Sequence, residues 1–173
     1  MAIGEFVTYA RDFFRLAYPA TWSVHENRLV GLTDFCAPSD GARSYPAGIA
    51  LMTLPETGAP LDQLLRMGIF LLLRDLDTPS VRRLGEQRAG DLTWYRLLAQ
   101  GRASALPGGG PHLHVTKHVA LSRPGPGVLV LALYGPTETI ELLLPEFERL
   151  LRSVDIVQQG DAHHSHGHHP RRG

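Results

Sequence analysis

Two periods of hydrophobic residues run along this chain, and they predict many strands and two helices. Phe14, Leu16 and Tyr18 alternate with Phe13, Arg15 and Ala17, which is the two-residue period of a strand. Pro19 ends that strand, because proline has no N–H to donate to a ladder. Further strands are predicted at residues 5–10, from Trp22 through Val24, and at 29–33, 49–54, 81–88, 92–103, 113–121, 128–134 and 154–157.

The helical period appears twice. Residues 61–76 place a broad leucine face on one side of a helical wheel. That face consists of Leu61, Leu64, Leu65, Leu72 and Leu76. The opposite side holds polar residues, yet Phe70 falls in its middle and Met67 lies near its edge. A second helix is predicted at residues 137–152, and Pro145 should kink it or restart it.

The order of these elements indicates the fold class. Residues 89–91 link two predicted strands in a hairpin, and most other links are equally short, so antiparallel neighbours are expected. Residues 128–134 are apolar at every position, which predicts a central strand covered on both faces. We therefore predict an α+β fold, in which a mostly antiparallel sheet is packed by the two helices.

Composition narrows the function classes. The 173 residues predict one domain at 1–157, followed by a disordered His-rich tail at 158–173. The 17 basic residues balance 17 acidic ones, which disfavours nonspecific nucleic-acid binding. No apolar run is long enough for a transmembrane segment, and Cys36 has no partner for a disulfide. The first residues do not form a signal peptide, so a cytoplasmic protein is expected, or an exported one whose leader was removed.

Three sequence segments carry a resemblance to a known family: FFRLAYPATWSV at 13–24, VLVLALYGP at 128–136 and LLRSVDIV at 150–157. They resemble segments of the PsbP-like domain family. The resemblance implies an α/β/α sandwich with a central antiparallel sheet. This family contains the extrinsic photosystem II subunit, a nuclear-transport factor that binds a small GTPase, bacterial lipoproteins and DcrB-like proteins. Their common property is binding rather than a reaction, so the resemblance implies an accessory or chaperone-like protein.

Histidines supply the candidate metal ligands. His112 and His114 lie two residues apart on a predicted strand, so both side chains point to one face and could chelate one zinc or copper ion. The sequence indicates no third ligand, and the alternative is a polar sheet face or the rim of a cleft under a loop. The tail carries His163, His164, His166, His168 and His169, whose density predicts only adventitious zinc, nickel or copper binding. No other cofactor is expected, nor is an enzymatic activity.

Phe70 is the main candidate for a partner contact. On the predicted helix it is surrounded by Gln63, Arg66 and Arg74, and aromatic and arginine side chains are enriched at protein interfaces. The alternative is that a loop covers Phe70 or that it is simply exposed. We therefore predict a non-catalytic interaction module that binds a protein partner through a sheet face or a helix surface and is compatible with a homodimer. The competing hypothesis is a protein that binds a metal or small ligand through His112 and His114.

Overall fold

Ten strands and two helices are seen in the part of the chain that the structure describes. The structure is a computed structural model and describes residues 4–39, 45–104 and 109–158. In chain order the elements are β1 (Phe6–Arg11), β2 (Phe14–Pro19), β3 (Ser23–Asn27), β4 (Leu32–Cys36), β5 (Gly48–Pro55), α1 (Leu61–Leu73), β6 (Asp77–Ala89), β7 (Leu92–Ser104), β8 (His112–Ser122), β9 (Gly127–Pro136), α2 (Thr137–Ser153) and β10 (Asp155–Ile156). All of the predicted tail except Gln158 lies outside these ranges.

Seven of the strands form the main sheet, in the order β3–β4–β5–β9–β8–β7–β6. Every neighbouring pair in it is antiparallel. β9 lies at the centre and is buried from Gly127 to Leu133. The prediction of a central strand at 128–134 is confirmed, because a strand that is apolar at every position can be covered on both faces.

The main sheet is covered on both faces. Leu129 and Leu131 of β9 pack in one cluster with residues of α2 and of β2, which belongs to a second, three-stranded sheet. Val128 and Val130 point the other way and pack against α1. This alternation follows from the two-residue period of a strand. The predicted α+β class, with an antiparallel sheet between two helices, is confirmed.

The pairing of β2 differs from the expectation of antiparallel neighbours along the chain. β2 was expected to pair with the strand that follows Trp22, but it pairs with β1 and β10 in a separate three-stranded sheet. The Trp22 N–H donates to the Pro19 carbonyl over 3.0 Å, in a turn that carries the chain into the main sheet. Trp22 itself is 7% exposed and packs in the core shared by the two sheets.

The strand predicted at 29–33 was also misplaced. β3 and β4 form a hairpin in which Asn27 pairs with Leu32, so the intervening residues make its turn. Gly31 has a φ of 65°, a left-handed conformation that glycine adopts without strain. Leu29 and Val30 are consequently exposed at the hairpin tip, at 97% and 63%.

Helix ends differ little from the prediction. α1 ends at Leu73, three residues early, because the Leu76 N–H donates to the Leu73 carbonyl in a tighter turn that leads into β6. Leu76 remains buried. α2 runs without interruption through Pro145, so a restart there is excluded, and the other predicted outcome, a kink at Pro145, stays a prediction.

Candidate functional site

The solvent-facing side of α1 carries an apolar and basic surface. Phe70 is 74% exposed, and Met67 and Leu71 are also exposed. Arg66 and Arg74 precede and follow Phe70 by four residues, so the three side chains lie on one side of the helix. We call this the α1 surface, and its residues are Gln63, Arg66, Met67, Phe70, Leu71 and Arg74.

Two guanidinium groups of the α1 surface are not neutralised within the described part of the chain. The ion pair made by α1 there joins Asp62 to Arg83 over 2.8 Å, and none reaches Arg66 or Arg74. The α1 surface therefore presents positive charge next to apolar side chains. The four residues predicted for partner binding thus lie together on the α1 surface, and partner binding by them stays a prediction.

A cleft of about 340 Å³ opens beside the α1 surface, between the C-terminal half of α1 and the main sheet. Its mouth lies between Val30 of the β3–β4 hairpin and Leu71 of α1, both exposed. The remaining apolar lining residues are Leu32, Ala50, Met52, Leu72 and Ala132. A further group of lining residues is polar, and we call it the cleft floor: Asp34, Tyr45, Asp75, Lys117 and Tyr134.

One end of the cleft floor is a closed hydrogen-bond network around Lys117. The Lys117 side chain is 8% exposed, and its Nζ donates to Asp75 Oδ1 and to the Leu72 carbonyl, each over 2.6 Å. Tyr45 donates its hydroxyl to the other Asp75 oxygen. Burial alone would raise the pKa of Asp75, but the hydrogen bonds from Lys117 and Tyr45 outweigh burial and lower it.

The other end of the cleft floor is less satisfied. Asp34 is half-buried, and the Tyr134 hydroxyl donates to its Oδ1 over a long 3.3 Å. Burial raises the pKa of Asp34, against weaker opposing effects of Tyr134, His25 and Lys117. Burial likewise raises the pKa of Tyr134 and of the neighbouring Cys36 thiol. The floor therefore contains one fully paired carboxylate and one weakly paired carboxylate.

Strand alternation explains how β8 contributes to this site. Lys117 lies on the same face as Val115 and Val119, which packs against α1, whereas His118 lies on the opposite face. Lys117 is the only lysine of the chain, and no sequence motif marks it as functional. Its position between two apolar residues of one strand face was the available signal for a buried, paired ammonium group.

The predicted histidine site receives no further ligand in the described part of the chain. His112 and His114 are both exposed near the start of β8. Within residues 4–39, 45–104 and 109–158, no three His, Cys, Asp or Glu residues are placed to hold a metal ion. The five tail histidines lie outside these ranges, so metal binding by either group stays a prediction.

Comparisons with known proteins rest on structure alone. No known protein family's sequence profile matches the chain. No curated protein matches it in sequence. In the described part of the chain, no helix has the length and apolar character needed to cross a bilayer.

Several solved structures share the fold. A protein of Bacteroides thetaiotaomicron is 14% identical with a TM-score of 0.56, over 91% of this chain and 50% of that one, so the chain spans half of that protein's length. Cyanobacterial PsbP (CyanoP) from Synechocystis sp. PCC 6803 is 13% identical with a TM-score of 0.53, over 90% and 96%. LpqN of Mycobacterium tuberculosis, involved in cell envelope biogenesis, is 13% identical with a TM-score of 0.52, over 89% and 91%. The chain thus has the PsbP-like fold that its sequence predicts.

Proposed function

We propose that this chain is a non-catalytic binding module that docks another protein on the α1 surface. The observation that carries the proposal is the position of Phe70, which is 74% exposed between Arg66 and Arg74 on a well-packed helix. A rigid helix holds an aromatic side chain at little further entropic cost when a partner buries it. Aromatic and arginine side chains also contribute most of the binding energy in many interfaces.

The chemistry of the α1 surface indicates the partner. An apolar side chain of the partner would cover Phe70 and Met67, and acidic side chains would pair with Arg66 and Arg74, since complementary charges raise association rates and specificity. Exposed Val30 at the hairpin tip extends the apolar area across the mouth of the cleft. We therefore propose a partner segment that combines acidic and large apolar residues, as an accessory or chaperone-like factor would bind.

The polar groups of the cleft support binding rather than catalysis. Burial raises the pKa of Tyr45, Tyr134 and Cys36, so these groups are protonated at neutral pH and are poor nucleophiles or bases. The Lys117 ammonium is held by a carboxylate and a carbonyl. These features disfavour a reactive role for the floor.

A matched pair of variants tests the proposal. Phe70→Ala and Leu142→Ala each remove one exposed apolar side chain from a helix, because Leu142 of α2 is 78% exposed. Proteins captured from source cells by the wild type and by each variant should be compared quantitatively. A protein that the wild type and Leu142→Ala capture but Phe70→Ala does not should then be purified as the candidate partner. We expect its dissociation constant to rise at least about tenfold with Phe70→Ala and to stay unchanged with Leu142→Ala.

Two further results bear on the same proposal. Sedimentation velocity of the wild type reveals whether the partner is a second copy of the chain, which would contradict the acidic partner proposed here. Replacing the acidic residues of the purified partner by their amides should weaken binding and its salt dependence together. A partner that binds both variants and the wild type equally well would show that the α1 surface is not the docking site.

A further inference from the structure

We propose that the cleft beside α1 is a binding site for a small-molecule amine, whose apolar body lies against the cleft walls and whose ammonium group pairs with Asp34. This site goes beyond the proposed protein docking and does not depend on it. Three features of the described residues carry the inference: the unsatisfied capacity of Asp34, the charge of the floor, and the shape of the cleft.

Asp34 has hydrogen-bonding capacity that the protein does not use. A carboxylate has about four acceptor positions. Within the described part of the chain, Asp34 accepts one hydrogen bond, from the neutral Tyr134 hydroxyl at 3.3 Å. Asp75 on the same floor accepts from the Lys117 ammonium and from Tyr45. A half-buried carboxylate with one long, neutral hydrogen bond gains most from a charged donor.

The floor carries one uncompensated negative charge. Asp75 and Lys117 neutralise each other over 2.6 Å, which leaves ionised Asp34. Arg74 also lines the cleft and carries a positive charge that is not neutralised within the described residues, but it lies at the exposed C-terminal end of α1 and is not among the charges that shift the pKa of Asp34. An ammonium head is attracted to this floor, whereas a carboxylate or phosphate head is repelled. Burial raises the pKa of Asp34, and the Tyr134 hydrogen bond and the charges of His25 and Lys117 do not offset it, so the carboxylate is not fully compensated within the cleft.

The cleft walls define the rest of the ligand. The cleft volume of about 340 Å³ is at the lower end of the range for small-molecule sites. Met52, Leu72 and Ala132 provide apolar walls, and Ala132 is almost fully buried, so the space extends down to the sheet. A primary amine on an aryl or branched alkyl group fits this combination of apolar walls and one acidic end.

Three probes of similar size separate the head group from the body. They are 2-phenylethylamine, 2-phenylethanol and 3-phenylpropionate, titrated into the full chain by calorimetry at pH 7. We expect the amine to bind with one-to-one stoichiometry and at least about tenfold more tightly than the alcohol, and the carboxylate to bind most weakly. The proposal is overturned if the amine does not bind, or if its affinity equals that of the alcohol or the carboxylate.

Variants then locate the ammonium contact. Asp34→Asn should weaken amine binding at least about tenfold and leave alcohol binding unchanged. Asp91→Asn makes the same charge change at an exposed residue of the β6–β7 hairpin. Asp91 does not line the cleft, so this variant should have no effect on amine binding. Equal amine affinity in wild type and Asp34→Asn would refute the assignment.

Two controls keep this inference separate from the protein docking proposal. Amide chemical shifts of the wild type should change on β4, β5 and the end of α1 when the amine is added. This measurement uses only the wild type, so it does not depend on whether a variant folds. Changes confined to other regions would refute the site. Phe70→Ala should leave amine affinity unchanged even where it abolishes partner docking. Loss of amine binding in Phe70→Ala would place the ligand on the α1 surface instead of in the cleft.

Discussion

The two faces of the main sheet are built differently. Under α2, Trp94, Phe147, Leu150 and Leu151 are all 0% exposed. Buried Arg96 is also paired there, with its guanidinium 2.7 Å from Glu148 Oε1. Under α1 a cleft reaches the sheet, its floor is charged, and apolar side chains remain in solvent at its mouth.

This difference separates stability from binding. Apolar area removed from water stabilises a fold by about 25 cal/mol per Å², so the closed α2 face should supply much of the stability. Apolar side chains left exposed on α1, such as Phe70 and Met67, contribute little of it. Surfaces that bind other molecules are commonly less than optimal for stability, which fits the α1 face.

The largest loss of stability is expected on the closed face, which is the face of the main sheet covered by α2. Phe147→Ala should lower the free energy of unfolding by about 3–5 kcal/mol, because it leaves a cavity in a close-packed cluster. It also removes the ring beneath the Arg96 guanidinium, which lies 5.4 Å from the ring centroid. Urea denaturation at pH 7 measures the change. A loss below about 1 kcal/mol would mean that the two faces do not differ as described.

Most of the closed face could be predicted from the sequence. The apolar run of β9 and the helical period of α2 each identify a buried element directly, because periodicity reports how much of an element is covered. The separate small sheet could not be predicted in this way. β2 and β3 are close in sequence, and only the turn after Pro19 sends them into different sheets.

A smaller loss of stability is expected when Lys117 of the cleft floor is replaced. Lys117→Met should lower stability by about 1–2 kcal/mol at pH 7, a modest loss because the Asp75 side chain is 43% exposed and can be rehydrated. The pKa of Asp75 is below its ordinary value, so the pair stabilises the fold above about pH 4 and this stabilisation is lost as the pH falls through the folded-state pKa. The difference between the variant and the wild type should therefore shrink in acid, in urea titrations at pH 7 and pH 3.5. A difference that stays constant with pH would show that lost packing, and not the ion pair, is responsible.

The candidate site was less predictable than the fold. Phe70, Arg66 and Arg74 could be selected because a single helix places them together, and local periodicity reveals that arrangement. The cleft floor combines residues from β4, β8, β9, the end of α1 and the loop before β5. No local pattern relates Asp34 to Tyr134, which is one hundred residues away in sequence.

The third prediction concerns Asp34, whose replacement should raise the stability of the fold instead of lowering it. The pKa of Asp34 is raised by burial, so its ionised form is penalised in the folded state, and stability falls as the pH rises through the folded-state pKa. Asp34→Asn should therefore raise the free energy of unfolding by about 0.5 kcal/mol at pH 7. The gain should shrink at pH 3.5, which lies below both the ordinary pKa of an aspartate and the raised folded-state pKa of Asp34.

Asp34 is also influenced by its titratable neighbours. The facing groups are His25 on β3, Cys36 on β4, Lys117 on β8, Tyr134 on β9, and Tyr45 and Asp75 at the end of the floor. Denaturation curves at both pH values, compared with those of Asp91→Asn, isolate the effect of Asp34. A loss of stability at pH 7 would show that the ionised carboxylate is well solvated, which removes the reason to expect a cationic ligand.

The smallest change in stability is expected on the face of the main sheet that α1 covers. The residue replaced there is again a phenylalanine, as in the first prediction. Phe70→Ala should change the free energy of unfolding by less than about 0.5 kcal/mol, because the ring is 74% exposed and alanine has the higher helix propensity. Phe147→Ala is its matched control, since both changes remove one phenyl ring from a helix that packs on the main sheet. The ratio of the two losses, measured in the same urea titration, tests the comparison of the two faces directly. If Phe70→Ala also cost several kcal/mol, Phe70 would be part of the core, and neither the α1 surface nor the docking proposed on it could stand.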